Sequence, residues 1–247
     1  NQLQIKYIRN RKVFDIIRSK NIFNYKTVWT DSKYSANNHG TQLLNKIIER
    51  GSFSFPKSLY AVIDCIKAAS NGNKGAIILD FFAGSGTTGH AVLELNKEDK
   101  GNRQFILCTN NEDNNGSGLK IASDICYPRI KKVIEGYSFN GQRVKGLGGN
   151  LKYFSTEFVD NVKTDNDKRI FTLKCGEMLC LTESTFDEIE IKKGAFAIYE
   201  NSDQMTGIVF DEDSIEDFKK EVKKYRKPLL VYVFSYDHTY DEDDFSN

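Results

Sequence analysis

The residues with the clearest chemistry stand together in Asp80-Phe81-Phe82-Ala83-Gly84-Ser85-Gly86-Thr87-Thr88-Gly89. An apolar run at 76–79 precedes them, and a helical pattern at 87–96 follows. A strand that becomes a helix through glycines lets the main chain turn tightly and approach a ligand without Cβ clashes. The first helical turn then offers free N–H groups and the positive end of a dipole, which suits an anionic group. Gly84, Gly86 and Gly89 fit the GxGxxG spacing of dinucleotide sites, although that spacing alone is weak. Gly84 and Gly89 also fit the start of a P-loop. However, His90-Ala91 stand where Lys and Ser or Thr are required, so no side chain reaches a terminal phosphate and the P-loop is rejected.

A third ligand accounts for the acid at the strand end. Asp80 suits the cationic methionine moiety of S-adenosylmethionine, whereas it would repel a nearby pyrophosphate. A glycine turn with no ligand is the bland alternative. Ligands of open α/β sheets bind outside the carboxyl ends of the strands, which is where this turn falls.

The surrounding elements are legible from periodicity. Leu43, Leu44, Ile47 and Ile48 form a short helical pattern after the turn-like Asn37-Asn38-His39-Gly40, and Gly51 is its expected stop. Phe55-Pro56-Lys57-Ser58 opens a helix at 59–70, with Leu59, Val62, Ile63 and Ile66 on one face. Strand 76–79, helix 87–96, strand 104–108 and a helix at 119–135 containing Pro128 follow, with Gly136 as its stop. This alternation predicts a parallel sheet covered by helices on both faces. Gly141, Gly146, Gly148 and Gly149 predict a loop, and 151–154 a third strand. Beyond about 155 the texture changes to a helix near 170–181, strands at 195–199 and 206–210, a charged helix at 213–225 and a strand at 229–234. The expected divisions are a basic segment at 1–26, a ligand-binding domain at 27–155 and a small α/β module at 156–247.

Composition excludes some classes. With 39% hydrophobic and 28% charged residues in 247, a packed core is expected and wholesale disorder is not. The net charge of +1 names no partner. Cys65, Cys108, Cys126, Cys175 and Cys180 form no CxxC pair, and His39, His90 and His238 are not spaced around them as zinc ligands. They read as reduced, mostly buried thiols of a cytoplasmic protein. No membrane span or signal peptide is expected. The chain begins at Asn1 and has no Met before Met178, so it reads as part of a longer protein.

The ordered motifs resemble a known family. Asp80 to Thr88 is similar to the cofactor motif of amino-methylating DNA methyltransferases, and Phe55-Pro56-Lys57-Ser58 lies upstream of it, as in the permuted β-class order. Arg103-Gln104-Phe105-Ile106-Leu107-Cys108-Thr109-Asn110-Asn111-Glu112, Tyr127-Pro128-Arg129-Ile130-Lys131 and Gly146-Leu147-Gly148-Gly149-Asn150-Leu151-Lys152-Tyr153-Phe154 complete the set. Together they resemble the modification subunit of type III restriction–modification systems, well over 27–160 and more loosely to Phe234-Ser235. The resemblance implies a Rossmann-like sheet, present in part, and S-adenosylmethionine as cofactor. It implies N6-adenine methylation of double-stranded DNA in bacterial cytoplasm. A restriction subunit and a homodimer of the full-length protein are the implied protein partners. The main chain at Phe55, Lys57 and Ser58, with Thr87 and Thr88, would hold the methionine carboxylate. Asp80 would face the amino group; Phe82, Ala83, Gly84 and Gly86 would wall the adenosine, and Ser85 would also belong to the cofactor site. Thr109 occupies the place where many relatives put a ribose-binding acid, and Glu112 lies three residues on.

One family element is absent. The family transfers methyl groups through (D/N/S)-P-P-(Y/F), in which polar acceptors hold the target amino group and the aromatic ring stacks on the flipped base. Pro56, Pro128 and Pro228 stand apart, so this chain has no such motif and is expected to be inactive alone. In the permuted order that the resemblance implies, the motif and the recognition region are expected upstream of Asn1.

The charged stretches carry two readings each. Residues 1–26 hold seven basic residues and one acid, which is either the tail of a DNA-recognition region or a solvated face. Residues 120–152 have a net charge of +5, read chiefly as an outer helix face. The tail 237–247 carries −5 and reads as a frayed end. His90 reads as a packing or capping residue, Trp29 as a core anchor, and Tyr127 and Phe139 as core or contact residues. The C-terminal module has no catalytic cluster, and the resemblance implies subunit contact there. The alternatives are a non-enzymatic or degenerate binding module and, more weakly, a dinucleotide oxidoreductase.

Overall fold

A computed structural model of the chain describes residues 2–8, 13–19, 27–48, 53–158 and 162–234; the first two segments and Asp165 are described as backbone only. The chain divides into two compact units, Asn1–Phe154 and Ser155–Asn247.

The first unit opens with a hairpin of β1 (Gln2–Ile8) and β2 (Val13–Ser19), paired antiparallel from Gln2 opposite Ser19 to Ile8 opposite Val13. The sequence reading placed no strands there. Leu3, Ile5 and Tyr7 alternate with polar residues, a period of two that the density of basic residues obscured. Residues 37–40 are likewise not a turn: Asn37–Thr41 is a wide helical turn that runs into α1 (Gln42–Ile47). The chain is already extended at Ile48, and the expected stop at Gly51 lies outside the described residues. Trp29 is half-buried rather than a core residue, its ring 5.0 Å from that of Tyr34.

Helix α2 (Leu59–Ser70) buries Leu59, Ile63 and Ile66 against Ala91, Val92 and Leu95 of α3 (Thr87–Asp99). Between them lies β3 (Ile77–Asp80), and after α3 comes β4 (Gln104–Leu107), parallel to β3 with Asp80 opposite Leu107. This is the β-α-β unit that the alternation predicts. One face of the pair packs inward through Ile78, Phe105 and Leu107. The other face, also expected to carry helices, is not covered: the described helices that pack on the pair meet the Ile78, Phe105 and Leu107 side, and Ile77, Leu79 and Ile106 are exposed at 65%, 51% and 50%.

Beyond β4 the predicted helix at 119–135 forms as two pieces. A wide turn at Ile121–Cys126 runs into α4 (Tyr127–Glu135), and the Tyr127 N–H bonds back five residues to Ala122 O. Pro128 sits in the first turn of α4, where its missing N–H is tolerated. Gly136, at φ 97°, ends the helix and begins β5 (Gly136–Phe139), which pairs antiparallel with β6 (Gln142–Lys145). That hairpin was overlooked, although Asn140-Gly141 at its tip is a strong turn signature, both residues having positive φ. The third strand expected at 151–154 does not form. The segment just before it spends its N–H groups elsewhere: Leu147 bonds to Val133 O and Gly148 to Ile134 O at the end of α4, with Gly148 and Gly149 in backbone conformations that interrupt a strand.

The second unit contains α5 (Asp165–Glu183), then β7 (Asp187–Lys192), β8 (Phe196–Glu200) and β9 (Met205–Val209) as an antiparallel meander. Helix α6 (Ile215–Val222) crosses to β10 (Leu229–Val233), parallel to β9, in sheet order β10-β9-β8-β7. The expected helix at 213–225 is thus a short turn at Glu212–Ser214 followed by α6, and β7 was not expected. Strand alternation sends Phe196, Ile198 and Val209 against Phe218 of α6, and Ala197, Ile208 and Phe210 towards Cys180 of α5. The acidic tail at 237–247 lies outside the described residues. No described helix is long and apolar enough to cross a membrane.

The thiols are less buried than expected. Cys126 and Cys180 are buried, Cys108 and Cys175 half-buried and Cys65 exposed, because 65 falls on the outer side of α2.

Candidate functional site

The glycine turn joins β3 to α3 and is fastened at both ends. The Cys108 N–H donates to Asp80 O at 2.8 Å, and the Ala83 N–H donates to Cys108 O at 3.1 Å. These bonds lash the start of the turn to the end of β4, which places Thr109 directly beside it, half-buried. Asp80 Oδ1 accepts from the Phe82 N–H at 3.1 Å, and Oδ2 accepts from the Thr88 hydroxyl at 2.6 Å. A carboxylate has about four lone-pair directions, so Asp80 keeps capacity for a cationic partner.

Gly84 and Gly86 both have positive φ, at 49° and 75°. Gly86 is the N-cap of α3, and a Cβ there would also meet Cys126 Sγ at 2.9 Å. The N–H groups of Thr87, Thr88 and Gly89 precede any carbonyl of the helix and therefore have no intrahelical acceptor. Ala83, Ser85 and Thr87 are buried, while Phe82 is 94% exposed.

Phe53, at the start of the segment that leads into α2, lies against this turn. A Cβ on Gly84 would sit 3.1 Å from Phe53 Cζ. Phe55 is 90% exposed and holds a positive φ of 56°, an uncommon conformation for an aromatic residue. Lys57 is exposed, and Ser58 is buried as the N-cap of α2 with its hydroxyl donating to Lys33 O at 2.9 Å. Lys33 and Tyr34 both reach Asp64 of α2 at 2.7 Å, pinning residues 31–34 beside α2. Gly40 backs the same segment: a Cβ there would fall on the Pro56 carbonyl. The last turns of α2 and α3 meet at the Lys67–Glu98 ion pair, 3.0 Å, so both helices present their N-termini at the same end.

Residues that the sequence reading left out of the site lie beneath the turn. Arg129, counted there as part of an outer basic face, is fully buried. Its Nη1 donates to Ser85 O, Ser85 Oγ and Thr87 Oγ1 at 3.1, 3.0 and 2.9 Å. His90 is a buried packing residue, 3.4 Å from Arg129 Nη2 through Nδ1 and 3.6 Å from Glu94 through Nε2. Burial, with the adjacent guanidinium, holds His90 below its ordinary value and therefore neutral. Nδ1 then accepts and Nε2–H faces Glu94. Burial also pushes the Cys126 thiol up to about 11, which keeps it protonated and inert. Tyr127 packs on Tyr153 at 5.1 Å, and the Phe139 ring lies 5.8 Å from Lys46 Nζ. Among the described residues, no group of three His, Cys, Asp or Glu stands close enough to hold a metal.

The turn therefore holds Asp80, a half-exposed carboxylate, beside the free N–H groups of α3, with Phe53 against Gly84. Residues 2–119 match the DNA methylase family (N6_N4_Mtase). The match runs through residues 2–26, set apart above as a basic segment. The chain is 32% identical over 63% of its length to the type III restriction-modification enzyme StyLTI Mod subunit of Salmonella typhimurium, covering 25% of that protein. It is 29% identical over 57% of its length to the EcoPI Mod subunit of Escherichia phage P1, covering 22%. It is 35% identical over 45% of its length to the type II methyltransferase M.KpnI of Klebsiella pneumoniae, covering 28%. The chain thus spans about a quarter of the length of these relatives. Its resemblance to methyltransferases of restriction–modification, and to type III modification subunits among them, stands on these matches.

Proposed function

We propose that this chain is the S-adenosylmethionine-binding portion of a DNA methyltransferase that modifies the N6 amino group of adenine in a restriction–modification system. The observation that carries the reading is the glycine turn that orients Asp80 at the N-terminus of α3, with Phe53 packed on Gly84. A zwitterionic amino acid end needs an acid and an anion-binding surface side by side, and this corner offers both. Asp80 takes the ammonium. The N-terminal N–H groups of α2 and α3 take the carboxylate. Phe82 and Phe55, aromatic and almost fully exposed, suit a flat adenosine. When bound, S-adenosylmethionine supplies an electrophilic methyl group on a sulfonium. This chain's residues hold and orient it. They do not position an acceptor amine, since the sequence has no adjacent prolines. That task falls to residues outside this sequence, as does most contact with double-stranded DNA.

The exposed face of β3 and β4 supports a sheet present only in part. Apolar residues at half exposure or more on a parallel pair are what a Rossmann-like sheet shows when a covering layer is lacking. In the second unit, Ile170, Leu173, Met178 and Leu181 of α5 are exposed. This favours subunit contact, with a second copy or a restriction partner, as the role of that unit.

Calorimetric titration of the purified chain with S-adenosylmethionine tests the reading, with Asp80→Ala as control and NAD as competitor. Saturable binding that the substitution abolishes is expected. Tight NAD binding in its place would overturn the assignment in favour of a dinucleotide enzyme. Failure to bind either ligand would favour a degenerate module.

A further inference from the structure

Among the described residues of the first unit, Arg129 carries the most deeply buried charge, at 0% exposure. Its hydrogen bonds run to Ser85, Thr87 and His90, all neutral. Nε has no partner, and no carboxylate pairs with the guanidinium among the described residues. Burying an unpaired ion is strongly unfavourable, and an apolar side chain of similar volume avoids that cost. Neutral donors could satisfy the turn's oxygens equally well. What a neutral donor lacks is the charge.

The surroundings reinforce that charge. The N-termini of α2 and α3 share its end of the unit, and His90 is held neutral as an acceptor. Asp80, the acid of the turn, is already turned towards Thr88 and the Phe82 N–H, and Glu94 faces the far nitrogen of His90. The turn therefore combines one fixed negative group with a surplus of positive potential. Burial pushes the guanidinium down to about 10, so it stays protonated at neutral pH.

We propose that Arg129 is a positioning residue for the cofactor's carboxylate: acting through Ser85 and Thr87, it keeps the turn electropositive and so selects ligands that carry an α-carboxylate. The proposal rests on reading the turn as the S-adenosylmethionine site. In the bound state the carboxylate offsets the unpaired charge that the free protein carries.

The test compares S-adenosylmethionine with its decarboxylated form, which keeps the sulfonium and the ammonium. Both are titrated into the 247-residue chain as wild type, Arg129→Gln and Arg129→Lys. Gln keeps an amide donor for the turn but not the charge; Lys keeps the charge. The wild type is expected to prefer the carboxylate-bearing ligand. Arg129→Gln should lose about tenfold in affinity for it, on the scale of one charge pair at intermediate dielectric, and bind the decarboxylated form almost unchanged. Arg129→Lys should retain most of the preference. A merely structural role would weaken both ligands alike in Arg129→Gln, and that result overturns the proposal. Equal affinity of the wild type for the two ligands overturns it too, without any variant having to fold. If the wild type binds neither, the cofactor reading itself fails.

Discussion

The Thr88 hydroxyl donates to Asp80 Oδ2 at 2.6 Å, spanning the glycine turn from the end of β3 to the first turn of α3. The second carboxylate oxygen is held by the Phe82 N–H at 3.1 Å. Asp80 is thereby fixed in one orientation before any ligand arrives, and the entropy of ordering it is not charged to binding. Thr88→Val removes one of the two anchors while keeping the side-chain shape. We expect a stability loss of about 1 kcal/mol by denaturant titration, and a fall in S-adenosylmethionine affinity of similar free energy, about fivefold to tenfold, by calorimetry. Thr88→Ser should restore both. Affinity unchanged in Thr88→Val would show that Asp80 needs no positioning.

Gly40 holds the opposite wall. It lies in the wide turn Asn37–Thr41, and a Cβ there would collide with the Pro56 carbonyl. Backbone cannot swing aside as a flexible side chain can, so Gly40→Ala must displace residues 55–58 or the turn itself. The expected outcome is a cofactor affinity at least tenfold lower, with a smaller loss of thermal stability than a large core deletion causes. An alanine variant that binds normally would mean that Phe55, Lys57 and Ser58 contribute nothing to the site.

The parts of this site that were legible in the sequence are those whose signal is local. Asp80, Gly84, Gly86 and Thr88 announce themselves because a strand-to-helix turn needs particular residues at particular spacing. The order of Phe55-Pro56-Lys57-Ser58 before them added the second wall. Arg129 was hidden because a basic residue on an amphipathic helix is ordinarily solvated. Only the tertiary approach of α4 beneath the turn, with Cys126 Sγ and Ile130 lying where Cβ atoms of Gly86 and Gly89 would be, turns it inward. The hairpin at β5 and β6 had a readable cue in Asn140-Gly141, whereas the failure of a strand at 151–154 depended on where distant carbonyls at the end of α4 fell.

His90 makes the buried corner sensitive to acid. In the folded chain its imidazole is held neutral to lower pH than the ordinary 6.5, mainly by burial and further by the Arg129 charge. The unfolded chain therefore takes up this proton first as pH falls. The contribution is fully present above about 6.5 and is lost as pH drops from there towards the lowered folded-state value. Protonation would also remove the Nδ1 acceptor and place two cations together. Wild-type stability should decline between about pH 6.5 and 5, a range in which ordinary carboxylates remain ionised. His90→Gln, which keeps an acceptor for Arg129, should flatten that slope. Parallel pH profiles for the two proteins would show that another group controls the decline.

The two faces of the β3–β4 pair should respond differently to substitution. Leu95 of α3 is 0% exposed, on the covered side between α2 and the sheet, and Leu95→Ala should cost about 2–5 kcal/mol. Leu79, on the other face, is 51% exposed. Leu79→Ser removes little buried area, so a change within about 0.5 kcal/mol is expected. Because Ile77 and Ile106 lie exposed on the same pair, the substitution should also reduce self-association of the chain at high concentration, measured by light scattering. The two variants separate a sheet with one open face from a sheet covered on both. If Leu79→Ser destabilised the chain as much as Leu95→Ala, the face would be covered in solution, and the chain would need no further layer from outside its own sequence.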